Sequence, residues 1–204
     1  MKKILILCLA LLGAGASEAQ VAVGGKGGAN FSNIIKTGDD DFSTSFKTGF
    51  HAGLFINIPL AGSLSFSPEL VYSQKGYSAS GSSLLGGDYD YTLTSNFIEV
   101  PVLLKINAAP GFGIHLGPQV SFLASTTESF KQGSDEYRTT VKEDIDNLRK
   151  SLVGGVIGLD INSGQRVGLS ARYALDLQKN NEDGTSETPQ YRNQVFQLSL
   201  SAKF

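Results

Sequence analysis

The chain is poor in the residues that mark several kinds of protein. It has one cysteine, one methionine and no tryptophan in 204 residues. A single cysteine cannot build a disulfide framework. No charge of either sign dominates: 17 basic residues against 19 acidic ones give a net charge of −2, which is no electrostatic footprint for nucleic acid. With 41% hydrophobic and 18% charged residues, a disordered acidic tail is excluded as well. Long apolar runs are also missing. None after the N-terminal segment reaches 18 residues and the mean hydropathy is −0.03, so helical membrane spans are excluded. A membrane barrel is not excluded, because its strands are apolar on one face only. The length suits one domain.

The N-terminus reads as an address. Met1-Lys2-Lys3 is a short basic region, Ile4 to Leu12 is apolar, and Ser17-Glu18-Ala19 places small residues where a signal peptidase reads them. The expected division is a signal peptide over 1–19 and an outer-membrane β-barrel domain over 20–204. Cys8 lies inside the apolar run, so a lipoprotein anchor does not fit, and cleavage removes the only cysteine.

What the sequence has in quantity is strict alternation. At the C-terminus Phe196, Leu198, Leu200, Ala202 and Phe204 form one face, and Gln197, Ser199, Ser201 and Lys203 the other. Seven earlier segments repeat the pattern, among them Leu54 and Ile56 about Phe55, Ile98 to Ile106, and Val167 to Leu177. Each is near the 9–11 residues a tilted strand needs to cross a bilayer. Tight turns at Pro59 to Ser63, Asn107 to Gly111 and Asn162 to Gln165 alternate with long polar stretches at 33–48, 74–95, 125–151 and 178–193. The expected fold is therefore all-β: an eight-stranded antiparallel up-and-down transmembrane β-barrel with short periplasmic turns and four longer extracellular loops.

The same pattern assigns the faces. A bore of eight strands is filled by side chains, so small residues and a few paired charges fit inside and the large apolar residues face lipid. Lys26, Glu69, Glu99, Lys105, Arg172 and Asp176 then point inward. Phe66, Phe112 and Phe204 fall at the turn end, and Phe31, Phe50, Tyr72, Phe122, Tyr173 and Phe196 toward the loop end, as two interfacial girdles. Pro68, Pro101 and Pro118 interrupt strands that have no free edge, and bulges are the expected accommodation.

Several segments together carry a family likeness. They are Gly25-Lys26-Gly27-Gly28-Ala29-Asn30-Phe31-Ser32, Pro68-Glu69-Leu70-Val71-Tyr72-Ser73-Gln74-Lys75-Gly76, Ile98-Glu99-Val100-Pro101-Val102-Leu103-Leu104-Lys105 and the terminal Phe204. In this order they resemble the outer-membrane barrel domain of the Bacteroidota porin family (PorT-like) proteins. The resemblance spans nearly all of residues 20–204 and implies an eight-stranded barrel in the outer membrane of a Gram-negative bacterium. It implies no activity. Phe196, Leu198, Leu200 and Phe204 also look like the signal read by the barrel-assembly machinery.

The candidate sites are weighed on chemistry. The six inward charges form a polar network that reads as a salt-bridged plug, with a narrow channel for ions or small solutes as the alternative. His51 and His115, facing inward with Ser65, Ser67 and Ser121, admit a lipid-modifying enzyme, but nothing in their spacing demands one, so no catalytic residue is assigned. Two histidines without cysteine or a carboxylate motif are poor metal ligands, and Asp39-Asp40-Asp41 lacks a calcium-loop pattern around it. No cofactor is called for: the glycine runs lack a phosphate-loop context. From Thr139 to Leu152, Val141, Ile145, Leu148 and Leu152 recur at helical spacing and predict a short amphipathic helix outside the membrane. The expected partners are outer-membrane lipid, the assembly machinery and, through loops 33–48 and 125–151, an envelope or extracellular protein. The expected role is a structural or interaction barrel of the cell envelope.

Overall fold

A computed structural model describes residues 21–37, 43–83, 87–132, 135–141, 148–163, 166–181 and 190–204. The proposed signal peptide, Asp39-Asp40-Asp41 and residues 142–147 lie outside the described residues.

Among the described residues nine strands form one antiparallel sheet: β1 (Ala22–Lys36), β2 (Ser45–Ala61), β3 (Leu64–Ser83), β4 (Gly87–Ala109), β5 (Phe112–Gln132), β6 (Asp135–Val141), β7 (Ser151–Ser163), β8 (Val167–Asp176) and β9 (Tyr191–Lys203). Eight of them make the ring, β1-β2-β3-β4-β5-β7-β8-β9, closed where β9 pairs back onto β1 from Gly24↔Lys203 to Lys36↔Tyr191. Closure leaves every strand of the wall paired on both sides, which is what a sheet needs in hydrocarbon. β6 stands outside the ring and folds back on the far end of β5, from Thr126↔Val141 to Gln132↔Asp135.

The outer face is apolar. Leu54, Leu70, Leu104, Leu116, Ile157, Leu169, Leu198 and Leu200 are all about half exposed, and the residues alternating with them are buried or half-buried. Phe50 packs on Tyr72 at 5.7 Å, and Phe196 on Tyr173 at 4.9 Å and on Phe46 at 6.1 Å, all toward the loop end of the wall. Larger apolar residues also enter the bore. Phe55, Val71 and Phe97 are buried there, and Leu103, Val156 and Ala174 make a small cluster.

Three expectations need correction. Residues 74–95 and much of 125–151 are not loops, for β3 and β4 stay paired out to Ser83↔Gly87 and β5 continues to Gln132. Likewise β1 reaches Lys36 and β2 begins at Ser45, inside the stretch 33–48. The ladder outlives the apolar alternation because backbone pairing does not require lipid on one side. The amphipathic helix expected over Thr139–Leu152 is not helical at either end: Thr139 to Val141 end β6, while Ser151 and Leu152 begin β7, with Leu152 buried; its middle, residues 142–147, lies outside the described residues. No helix occurs among the described residues. The prolines are not housed in bulges. The register is the same on both sides of each, as in Pro68↔Val102 and Val71↔Glu99, and ladder pairs are missing beside Pro101 and Pro118. The register shifts fall elsewhere, between Phe46 and His51, Pro59 and Ala61, Asn96 and Phe97, and Asn107 and Ala109.

Candidate functional site

The bore contains three stacked polar and aromatic layers. Nearest the turns, Glu69 on β3 accepts from Lys26 Nζ at 2.8 Å and from Arg172 Nη2 at 2.9 Å, both on the same oxygen. Across the bore Asp160 on β7 meets His115 Nδ1 at 3.0 Å and Lys105 Nζ at 3.6 Å. Lys105 also lies 5.5 Å from the centre of the Phe55 ring. Farther along, Lys75 on β3 bridges Glu99 at 2.8 Å and Asp176 at 3.1 Å, with Phe97 under its ammonium at 4.9 Å. Asn193 donates to the second oxygen of Asp176 at 2.8 Å, and Ser121 to Glu99 at 3.3 Å. Four cations (Lys26, Lys75, Lys105, Arg172) thus face four anions (Glu69, Glu99, Asp160, Asp176), as buried charges require.

The six charges singled out from the sequence therefore fall into separate groups. Lys26, Glu69 and Arg172 meet directly; Lys105 pairs with Asp160; Glu99 and Asp176 meet through Lys75. Sequence reasoning missed Lys75 and the pairing role of Asp160. Lys75 was hidden by placing it in a loop, although it keeps the inward parity of Glu69, Val71 and Ser73.

Between the charged layers lies a chain of hydrogen bonds over β9, β1 and β2. Ser199 Oγ donates to His51 Nε2 at 2.7 Å, and His51 Nδ1 donates to Asn30 Oδ1 at 2.7 Å. Gln197 donates to the same Asn30 oxygen at 2.9 Å. The imidazole crosses over Gly28, which pairs with both His51 and Ser199. A Cβ at Gly28 would run into the Leu198 carbonyl, so glycine is what lets the strands close here. Asn30 also serves the wall. Where the β2–β3 ladder breaks between Phe46 and His51, its Nδ2 spans the gap to the Gln74 carbonyl at 2.8 Å and to Ser73 Oγ at 3.0 Å. In order of bonding, Ser199, His51 and Asn30 repeat a nucleophile, base and orienting group. Their exposures are 3, 1 and 0%, so a substrate has no route to the hydroxyl while the wall is closed. The serines Ser65, Ser67 and Ser121 are buried too, but it is Ser199 that bonds to His51.

Above the Lys75 layer the bore ends in a cluster of Ile34, Tyr77, Leu93 and Tyr191, with Ala79 and Tyr91 packed against it. Tyr77 lies 5.8 Å from Tyr191, edge to face, and 6.0 Å from Tyr91. Gly76 precedes it at φ 140°, a conformation that only glycine adopts freely. Burial, reinforced by the charge of Glu128, pushes the Tyr77 hydroxyl up to about 12. Tyr91 and Tyr191 are raised chiefly by burial as well. These phenols stay neutral and pack as aromatic stoppers.

A closed ring of eight strands, greasy outside and ion-paired inside, defines an integral membrane β-barrel. The chain belongs to the outer membrane protein beta-barrel domain family, whose family model matches residues 16–182. Among solved structures it is similar to the Neisserial surface protein A, with 16% identity, a TM-score of 0.48, and coverage of 92% of this chain and all of that one. It is also similar to the attachment invasion locus protein Ail of Yersinia pestis, with 12% identity, a TM-score of 0.46 and the same coverages. The N-terminal barrel domain of Pseudomonas aeruginosa OprF shares 10% identity at a TM-score of 0.39, again over 92% and 100% of the two chains. No curated protein matches the chain.

Proposed function

We propose that this is a non-conducting structural or interaction barrel of the outer membrane of a Gram-negative bacterium. In this reading residues 1–19 are removed on export, the short turns face the periplasm and the long hairpins face outward. One observation carries it: the bore is filled along its length. The side chains of Glu69, Glu99, Lys75, Asp176 and Arg172 are each only 1–2% exposed, and the tyrosine cluster lies across the end above them. A permeant ion would have to break buried pairs whose separation leaves unpaired charge, at a cost of several kcal/mol each. Planar-bilayer recording tests this. Purified barrel should give no reproducible single-channel steps, and regular steps would favour the narrow channel instead.

The resemblance to the Bacteroidota porin family supports the outer-membrane location, and the outward apolar face of Phe196, Leu198, Leu200 and Phe204 supports an assembly signal. An enzyme is disfavoured by the burial of Ser199 and His51. A fluorophosphonate probe should leave Ser199 unlabelled in the folded barrel, and labelling lost in His51→Ala would revive the enzyme reading. The paired extension of β5 and β6 offers its backbone to an envelope or extracellular partner.

A further inference from the structure

The outer face of β3, β4 and β5 changes character along a single row. Tyr72, Ile98 and Phe122 stand in register across the three strands and form the last apolar row. Two residues beyond come Gln74, Asn96 and Ser125. Then follow Gly76, Thr94 and Thr127; Ser78, Thr92 and Ser129; and Ser80, Asp90 and Lys131. Each row adds about 7 Å along the strand, so the polar face rises roughly 20 Å past the apolar edge once strand tilt is allowed for. A cleft of about 430 Å³ opens on this face, lined by Lys47, Gln74, Thr94, Asn96, Ser129 and Lys131 among others. A second of about 340 Å³ adjoins it and shares Thr92, Ser129 and Lys131.

What covers this face follows from its continuity with the lipid-facing wall. The first matter above the hydrocarbon is the headgroup layer of the same leaflet. The rows offer hydroxyls and amides and no large apolar side chain, unlike the aromatic-rich centre of a protein interface. Such groups suit a polyol. The positive charge comes from two strands. Lys131 lies across from Asp90, but Lys47 is half-buried, donates to the Thr48 carbonyl at 3.3 Å and has no ion-pair partner among the described residues. A half-buried cation beside sugar-binding groups calls for an anion.

We propose that this face seats the phosphorylated saccharide headgroup of an outer-leaflet glycolipid, with Lys47 and Lys131 on phosphate and the hydroxyl and amide rows on sugar. The proposal rests on the orientation given above. It is tested with the full barrel in phosphatidylcholine nanodiscs doped with lipid A or with its dephosphorylated form, by mass spectrometry of lipid retained after detergent exchange. Wild type should retain lipid A at least tenfold better than the dephosphorylated form. The double variant Lys47→Ala/Lys131→Ala should lose that preference, the Lys47→Arg/Lys131→Arg variant should keep it, and Lys203→Ala, at the turn end, should leave it unchanged. Equal retention of the two lipids by wild type, or undiminished preference in the alanine variant, overturns the proposal. Heat-shifted gel mobility of each variant reports folding. Lack of insertion by wild type would instead overturn the membrane reading and this proposal with it.

Discussion

Glu69 holds two cations on one oxygen, and that makes it the least replaceable charge in the bore. Glu69→Ala leaves Lys26 and Arg172 buried without their anion and should cost about 3–5 kcal/mol in urea unfolding from lipid vesicles. Lys26→Met keeps the Arg172 pair and should cost clearly less. Replacing Lys75, Glu99 and Asp176 together with apolar residues of similar volume should be near neutral, because no orphan charge remains. The tyrosines make a pH prediction. Tyr77 is raised above the unfolded value of about 10. Its contribution is therefore complete below pH 10 and is lost as the pH climbs through about 12. Tyrosinate absorbance of the folded barrel should accordingly show a high-pH step that vanishes in Tyr77→Phe.

Within a strand the two faces answer to different solvents. On β9, Leu198→Arg puts a cation against hydrocarbon and should destabilise by about 2–4 kcal/mol in vesicles, whereas Lys203→Ala beyond the apolar stretch should change little. This contrast also explains what was legible beforehand. Alternation of apolar and polar residues arises because lipid meets one face, so it revealed all eight wall strands and the inward set of six charges. Past Tyr72, Ile98 and Phe122 the outer face is polar and the apolar side chains, such as Tyr77 and Leu93, turn inward, so the lipid-facing pattern stops and paired backbone such as Ser78↔Thr92 looks like loop. Lys75 was lost there. The ends of the expected helix have a similar origin: Val141 and Leu152, spaced as one helical stripe, belong to the end of β6 and the start of β7. The partners of each charge were not readable either, since Lys26 and Glu69 lie 43 residues apart and meet across the bore.

At the scale of the whole barrel the ring depends on its last strand. Removing Tyr191–Phe204 deprives both β1 and β8 of a neighbour and should abolish the heat-shifted band on gels. Deleting residues 133–147 touches β6 and nothing of the ring, so that variant should keep the band.

The pairing of β1 with β9 has a consequence for biogenesis. Of the ring strands, β1 leaves the ribosome first and must wait, unsatisfied along one flank, until β9 arrives. No shorter nascent piece can seal itself, so a cell must either chaperone that waiting flank or lend it a temporary companion, and a stalled chain offers a sticky ribbon to its neighbours.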